Sequence, residues 1–157
     1  MQLVHIGKLQ TMNTTRVNSA ISVGVFAMVA FNGIFLAANG LFMLVAPAVW
    51  YEFVPGVTDT GFFNQHFVRD IGIVQLFLGM AFGIGMIRPQ HRVELWAVAT
   101  AWLSAHAVFH LWEVAVGICS PSAILRDFPA VSLPAILGAV LTLWAIGCRR
   151  AQRAACA

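Results

Sequence analysis

The sequence predicts an all-α integral membrane protein: a four-helix bundle with the N and C termini on the cytoplasmic side. Three observations predict it. Hydrophobic residues make up 60% of the chain and charged residues only 10%, whereas a soluble domain carries roughly 25% charged residues. Four apolar stretches have about the length, near 20 residues, that a helix needs to cross a hydrocarbon core of about 30 Å. The basic residues are sorted to one side of those stretches. At 157 residues the chain reads as a single domain, 1–157, without internal repeats, linkers or low-complexity tracts.

The spans are expected at about 20–49, 67–87, 93–116 and 130–147. The first exceeds the length of a crossing, so it is expected to tilt or project. It is also too long for a signal-peptide core, and no small-residue cleavage site follows it, so it is read as retained. Lys8 and Arg16 precede the first span, Arg88 and Arg92 lie between the second and third, and Arg149, Arg150 and Arg153 follow the fourth. Seven of the nine basic residues therefore share one side, which basic-residue bias makes cytoplasmic. Only Arg69 and Arg126 fall on the other, where Glu52, Asp59, Asp70, Glu113 and Asp127 also gather; Glu94 is the single inner acid. The net charge of +3 thus reflects topology, and with no basic stripe interleaved with aromatics the chain is not read as a nucleic-acid binder.

Trp50 and Tyr51 are expected where span one leaves the membrane, and Trp96 near the inner end of span three. Gly79 and Gly83 on span two, and Gly33, Ala37 and Gly40 on span one, mark faces where helix backbones approach closely. Cys119 lies on the opposite side from Cys148 and Cys156, so it has no intrachain disulfide partner.

The chemistry-bearing residues are those that are costly in lipid. His106, His110 and Glu113 are spaced four and three apart, on one face of span three. His66 and Asp70, four apart, share a face at the start of span two, next to Asn64 and Arg69. Counted at 1.5 Å per residue, the two groups overlap in depth in the outer half of the membrane. Intramembrane ionisable residues persist when they are paired, bound to metal or exposed to a wet cavity. Two histidines four apart on a helix can chelate one ion, and His66 with Asp70 would complete a four-donor shell. Glu113 lies about 10 Å along the axis from His106, so it would support the shell or serve another ion. A histidine-rich, carboxylate-poor set favours copper or zinc over a di-iron centre. A haem would have to be held by His66 with His106 or His110. The competing readings are a hydrogen-bonded network in which Arg69 pairs with Asp70, and a metal-free subunit of a larger membrane complex.

The stretches Phe31-Asn32-Gly33-Ile34-Phe35 through Ala46-Pro47, Val54-Pro55-Gly56 and Val68-Arg69-Asp70-Ile71-Gly72 resemble those of small bacterial DoxX-like four-helix membrane proteins. The resemblance covers spans one to three. It implies a bundle in the bacterial inner membrane, in contact with lipid and with other membrane subunits or copies of itself. It also implies, as one role within the family, a redox-linked quinone-side subunit. The histidine set of span three is not part of that pattern.

Overall fold

The computed structural model describes the backbone of residues 2–156 and the side chains of residues 23–156; among these it is all-helical. The helices are α1 (Gln2–Val45), α2 (Pro47–Phe53), α3 (Gln65–Ile87), α4 (Arg92–Ala115), α5 (Ala123–Asp127) and α6 (Leu133–Ala155). Three stretches are long and apolar enough to cross a membrane: Val23–Val45, Gln65–Ile87 and Ala123–Ala155. The 24 residues of α4 match them in length. Its apolarity is lower because His106, His110 and Glu113 sit in its second half and Arg92 and Glu94 at its start.

Two boundaries differ from the sequence reading. The first span does not run unbroken to residue 49. It stops at Val45, and Ala46 takes φ −134°, ψ 61° before α2 begins at Pro47. Proline has no N–H to continue the ladder, and it disfavours helical geometry in the residue before it. The last apolar helical stretch begins at Ala123 rather than near 130, because α5 passes into α6 through a widened π-helical turn at Phe128–Ser132, between Pro129 and Pro134. Leu133 N–H there reaches the carbonyl of Phe128.

Alpha1 and α3 pack antiparallel on their glycines. A Cβ at Gly79 would lie 2.6 Å from the carbonyl oxygen of Gly33 and 2.7 Å from the nitrogen of Ala37; one at Gly40 would lie 2.6 Å from the carbonyl oxygen of Gly72. Backbone therefore meets backbone at two places, which is how membrane helices gain dispersion energy without a hydrophobic drive. Gly83 is not part of this seam, since a Cβ there meets nothing within 4 Å. The effective pairing partners are Gly72 and Gly79, two turns apart, in place of Gly79 and Gly83.

Alpha4 joins the second pair. Its fully buried Trp96 donates Nε1–H to the carbonyl of Phe82 on α3 at 3.1 Å and stacks on Trp144 of α6 at 6.4 Å. Thr100 and Thr142 bond hydroxyl to hydroxyl at 3.1 Å. Buried Asn32 donates its side-chain N–H to the carbonyl of Pro134 at 3.2 Å, tying α1 to the start of α6. These cross-helix bonds satisfy donors that lipid would leave bare. Outward, Phe31, Ile34, Phe77, Val98 and Leu143 remain exposed, an apolar surface suited to acyl chains.

Alpha4 ends on a Schellman motif. Gly117 holds φ +80°, the Ile118 N–H reaches the carbonyl of Glu113 at 2.9 Å, and the Gly117 N–H reaches that of Val114 at 3.2 Å. The left-handed position suits glycine, and a side chain there costs about 1–2 kcal/mol. Gly117→Ala is therefore expected to lower stability by about 1–2 kcal/mol, measurable as a shifted denaturation midpoint in detergent; an unchanged midpoint contradicts the strained cap.

Candidate functional site

The antiparallel packing brings the 46–64 and 116–132 segments to one end of the bundle, the distal end. There the Schellman turn folds Cys119 back toward the last turns of α4, its N–H also reaching the Glu113 carbonyl at 3.2 Å. The backbone then rises through α5. Between α4, this turn and the π-turn lies a shallow open cleft of about 20 Å³, room for about one water. Leu111, Val114, Ile124 and Val131 supply apolar wall, and His110, Asp127, Cys119 and Ser132 supply the polar groups.

The five residues singled out in the sequence do not converge. They separate into two pairs and one isolated side chain. His66 Nε2 lies 3.3 Å from Asp70 Oδ2 across one turn of α3, with the two side chains 89% and 55% exposed. His110 Nδ1 lies 3.4 Å from Asp127 Oδ2, and these side chains are only 27% and 17% exposed. His106 sits one turn below His110, stacked on Trp102 at 5.0 Å and edge-on to His110 at 4.7 Å. Glu113 contributes through its backbone carbonyl, and its half-buried carboxylate forms no ion pair among the described residues. Among the described residues, no three His, Cys, Asp or Glu side chains stand close enough to hold one metal ion. The four-donor shell of His66, Asp70, His106 and His110 is thus not assembled.

The expected Arg69–Asp70 pair does not form either. Arg69 Nε instead donates to the Leu44 carbonyl at 3.2 Å, satisfying an acceptor left bare where α1 ends. Asn64 is the N-cap of α3, its side-chain oxygen accepting from Phe67 N–H at 3.1 Å. Asn39 accepts from Trp50 Nε1 at 2.9 Å, which fixes α2 against α1. Asn64 and Asn39 thus serve a backbone donor and a ring donor, and Arg69 serves a backbone acceptor.

The residue the sequence reading did not place is Arg126. It donates Nε–H to Asp127 Oδ1 at 2.8 Å and Nη1–H to Asp59 Oδ2 at 3.1 Å. Its guanidinium lies against Gly56, whose missing side chain makes room for it. Gly56 also takes φ +84°. A chain of polar contacts therefore runs from Asp59 through Arg126 and Asp127 to His110, whose ring meets His106 edge-on. Asp127 is its hinge: Oδ1 accepts from Arg126 Nε at 2.8 Å, and Oδ2 accepts from Arg126 Nη2 at 3.5 Å and also faces His110. The signal available in the sequence was the Arg126-Asp127 dipeptide, an opposite-charge pair next to Pro129; nothing in the spacing linked it to His110.

Because Nδ1 of His110 faces a carboxylate, Nε2 is left to accept a hydrogen bond from a ligand. Comparison of the chain with family models, curated proteins and solved structures finds no match.

Proposed function

We propose that the protein is a four-span bundle of the bacterial inner membrane, with both termini cytoplasmic, that acts as a metal-free, quinone-linked accessory subunit. In this reading α1, α3, α4 and α6 all cross. Alpha4 is about 36 Å long at 1.5 Å per residue. It packs against both α3 and α6, so its histidines face protein rather than acyl chains, where ionisable side chains are tolerated. Basic residues at the proximal end put that end inside.

The observation that carries the reading is the His110–Asp127 pair in a cleft with apolar walls at the distal end. The cleft takes the polar edge of a lipid-soluble ligand, whose apolar remainder would lie against the apolar residues at its rim. A quinol hydroxyl would donate to His110 Nε2, with Asp127 holding the ring in place through Nδ1. Arg126 already neutralises Asp127, which makes a second cation at that carboxylate unfavourable and argues against a metal.

Binding is tested with a short-chain quinone analogue, read by quenching of tryptophan fluorescence. The unsubstituted protein should bind, and His110→Ala should weaken binding at least tenfold, about 1.4 kcal/mol. Failure of the unsubstituted protein to bind would sink the quinone reading.

A copper or zinc site is the second reading, favoured by one observation. In each of two pairs an imidazole nitrogen stands beside a carboxylate oxygen, at 3.3 and 3.4 Å, and these are donor types that copper and zinc accept. Elemental analysis decides: stoichiometric copper or zinc lost together with His110 and Asp127 selects this reading over the first.

A further inference from the structure

The proximal end carries a charge imbalance that the protein itself does not resolve. Five arginines meet there: Arg88 and Arg92 between α3 and α4, and Arg149, Arg150 and Arg153 on α6. Two are engaged. Arg92 donates to the carbonyls of Gly85 and Met86 at 3.0 and 3.3 Å and lies over the rings of Trp96 and Trp144, 5.2 and 5.5 Å from their centres. It thereby caps the end of α3 and brings the ends of three helices together. Arg149 bonds Glu94. Arg88, Arg150 and Arg153 remain, all exposed.

No side-chain carboxylate is left to pair with them. The chain has six Asp and Glu residues, and five of these, Glu52, Asp59, Asp70, Glu113 and Asp127, belong to the distal half of the bundle. Residues 2–22 contain no acid at all. Arg153 follows Arg149 by four residues and Arg150 by three, so the charges of α6 lie on adjoining faces of one turn. Clustered basic side chains at a helix end beside the bilayer attract anionic head groups.

We propose that Arg88, on one flank of this end, and Arg150 with Arg153, on α6, bind phosphate head groups of anionic phospholipid, which supplies negative charge beside these exposed arginines; the inference rests on the proposed placement of the bundle in a membrane. The lipid is a resident structural partner of the proximal end. The inference is independent of the quinone and metal readings, because it uses no residue of the distal cleft.

The test places the full-length protein in nanodiscs of phosphatidylcholine with or without phosphatidylglycerol and records the thermal midpoint, with native mass spectrometry of the detergent-extracted protein alongside. Phosphatidylglycerol should raise the midpoint and remain bound through extraction. Its affinity should exceed that of phosphatidylcholine by roughly tenfold or more. In R88Q/R150Q/R153Q the upward shift and the retained lipid should both be lost, while the helical signal in phosphatidylcholine stays that of the unsubstituted protein. Equal midpoints in both lipids, with no retained phosphatidylglycerol, would overturn the proposal without reference to any variant. An equal upward shift from inorganic phosphate in phosphatidylcholine would overturn it too, by assigning the site to a free anion. A shift that persists in the triple variant would place the lipid elsewhere.

Discussion

Gly79→Leu is expected to separate α1 from α3 and prevent the bundle from assembling. The position leaves no room, since even a methyl carbon would sit 2.6 Å from one backbone atom and 2.7 Å from another. Those atoms belong to Gly33 and Ala37, and backbone does not yield as the end of a flexible side chain does. Accommodating leucine means moving a whole helix. Overpacking in a well-packed core costs about 1–3 kcal/mol, and a backbone-on-backbone clash belongs at the upper end. The cost is amplified in lipid, because helix association there rests on close packing and a few hydrogen bonds. Opening the seam would also endanger the Asn32–Pro134 bond that ties α1 to α6. Gly83→Leu is the control. It adds the same side chain one turn away, where nothing lies within 4 Å, and should leave the thermal midpoint and the monodisperse detergent peak unchanged. Equal loss in both variants would show that added bulk on α3, and not the seam at Gly79, is responsible.

That contrast also shows how far the sequence could be read. Small residues four apart signal a close helix face, and the face does exist on α3. Which of its glycines touch depends on the crossing of α1 and α3, and a hydrophobicity pattern does not encode a crossing angle. The second and third helices could be bounded within two residues, because their ends coincide with a polar cap at Asn64 and a proline at position 89. Pro47 ended α1 four residues before the expected limit, an effect visible in the sequence but outweighed there by the continuous apolar run. At the distal end the expected face of α4 formed, with His106 against His110. Its partner did not come from α3. The 116–132 connection folds back over α4 through the Gly117 turn and delivers Asp127, whereas His66 and Asp70 satisfy one another on an exposed face. Depth along the membrane carries no information about which helix flank each residue occupies, and this decides which acid meets which histidine.

The second large effect is expected at Gly56, which lies outside the cleft altogether. Gly56→Val conflicts with the structure twice. The backbone there is left-handed at φ +84°, a conformation that is an outlier for β-branched residues and costs about 1–3 kcal/mol when enforced. The new side chain would also occupy the space now filled by the Arg126 guanidinium. Relief requires Arg126 to leave, and with it go its bonds to Asp59 and Asp127. Asp127 would then lose the partner that donates to both of its oxygens, including the Oδ2 that faces His110. Quinone-analogue binding should fall at least tenfold, about 1.4 kcal/mol, although residue 56 lines no part of the cleft. Arg126→Gln should reproduce most of that loss with little backbone strain. Adding Gly56→Val to Arg126→Gln should lower the thermal midpoint further and leave binding nearly unchanged, because the link to the cleft is already cut. If the two substitutions instead weaken binding additively, Arg126 is not the route between the loop and His110, and the polar chain from Asp59 to His110 is a set of separate contacts.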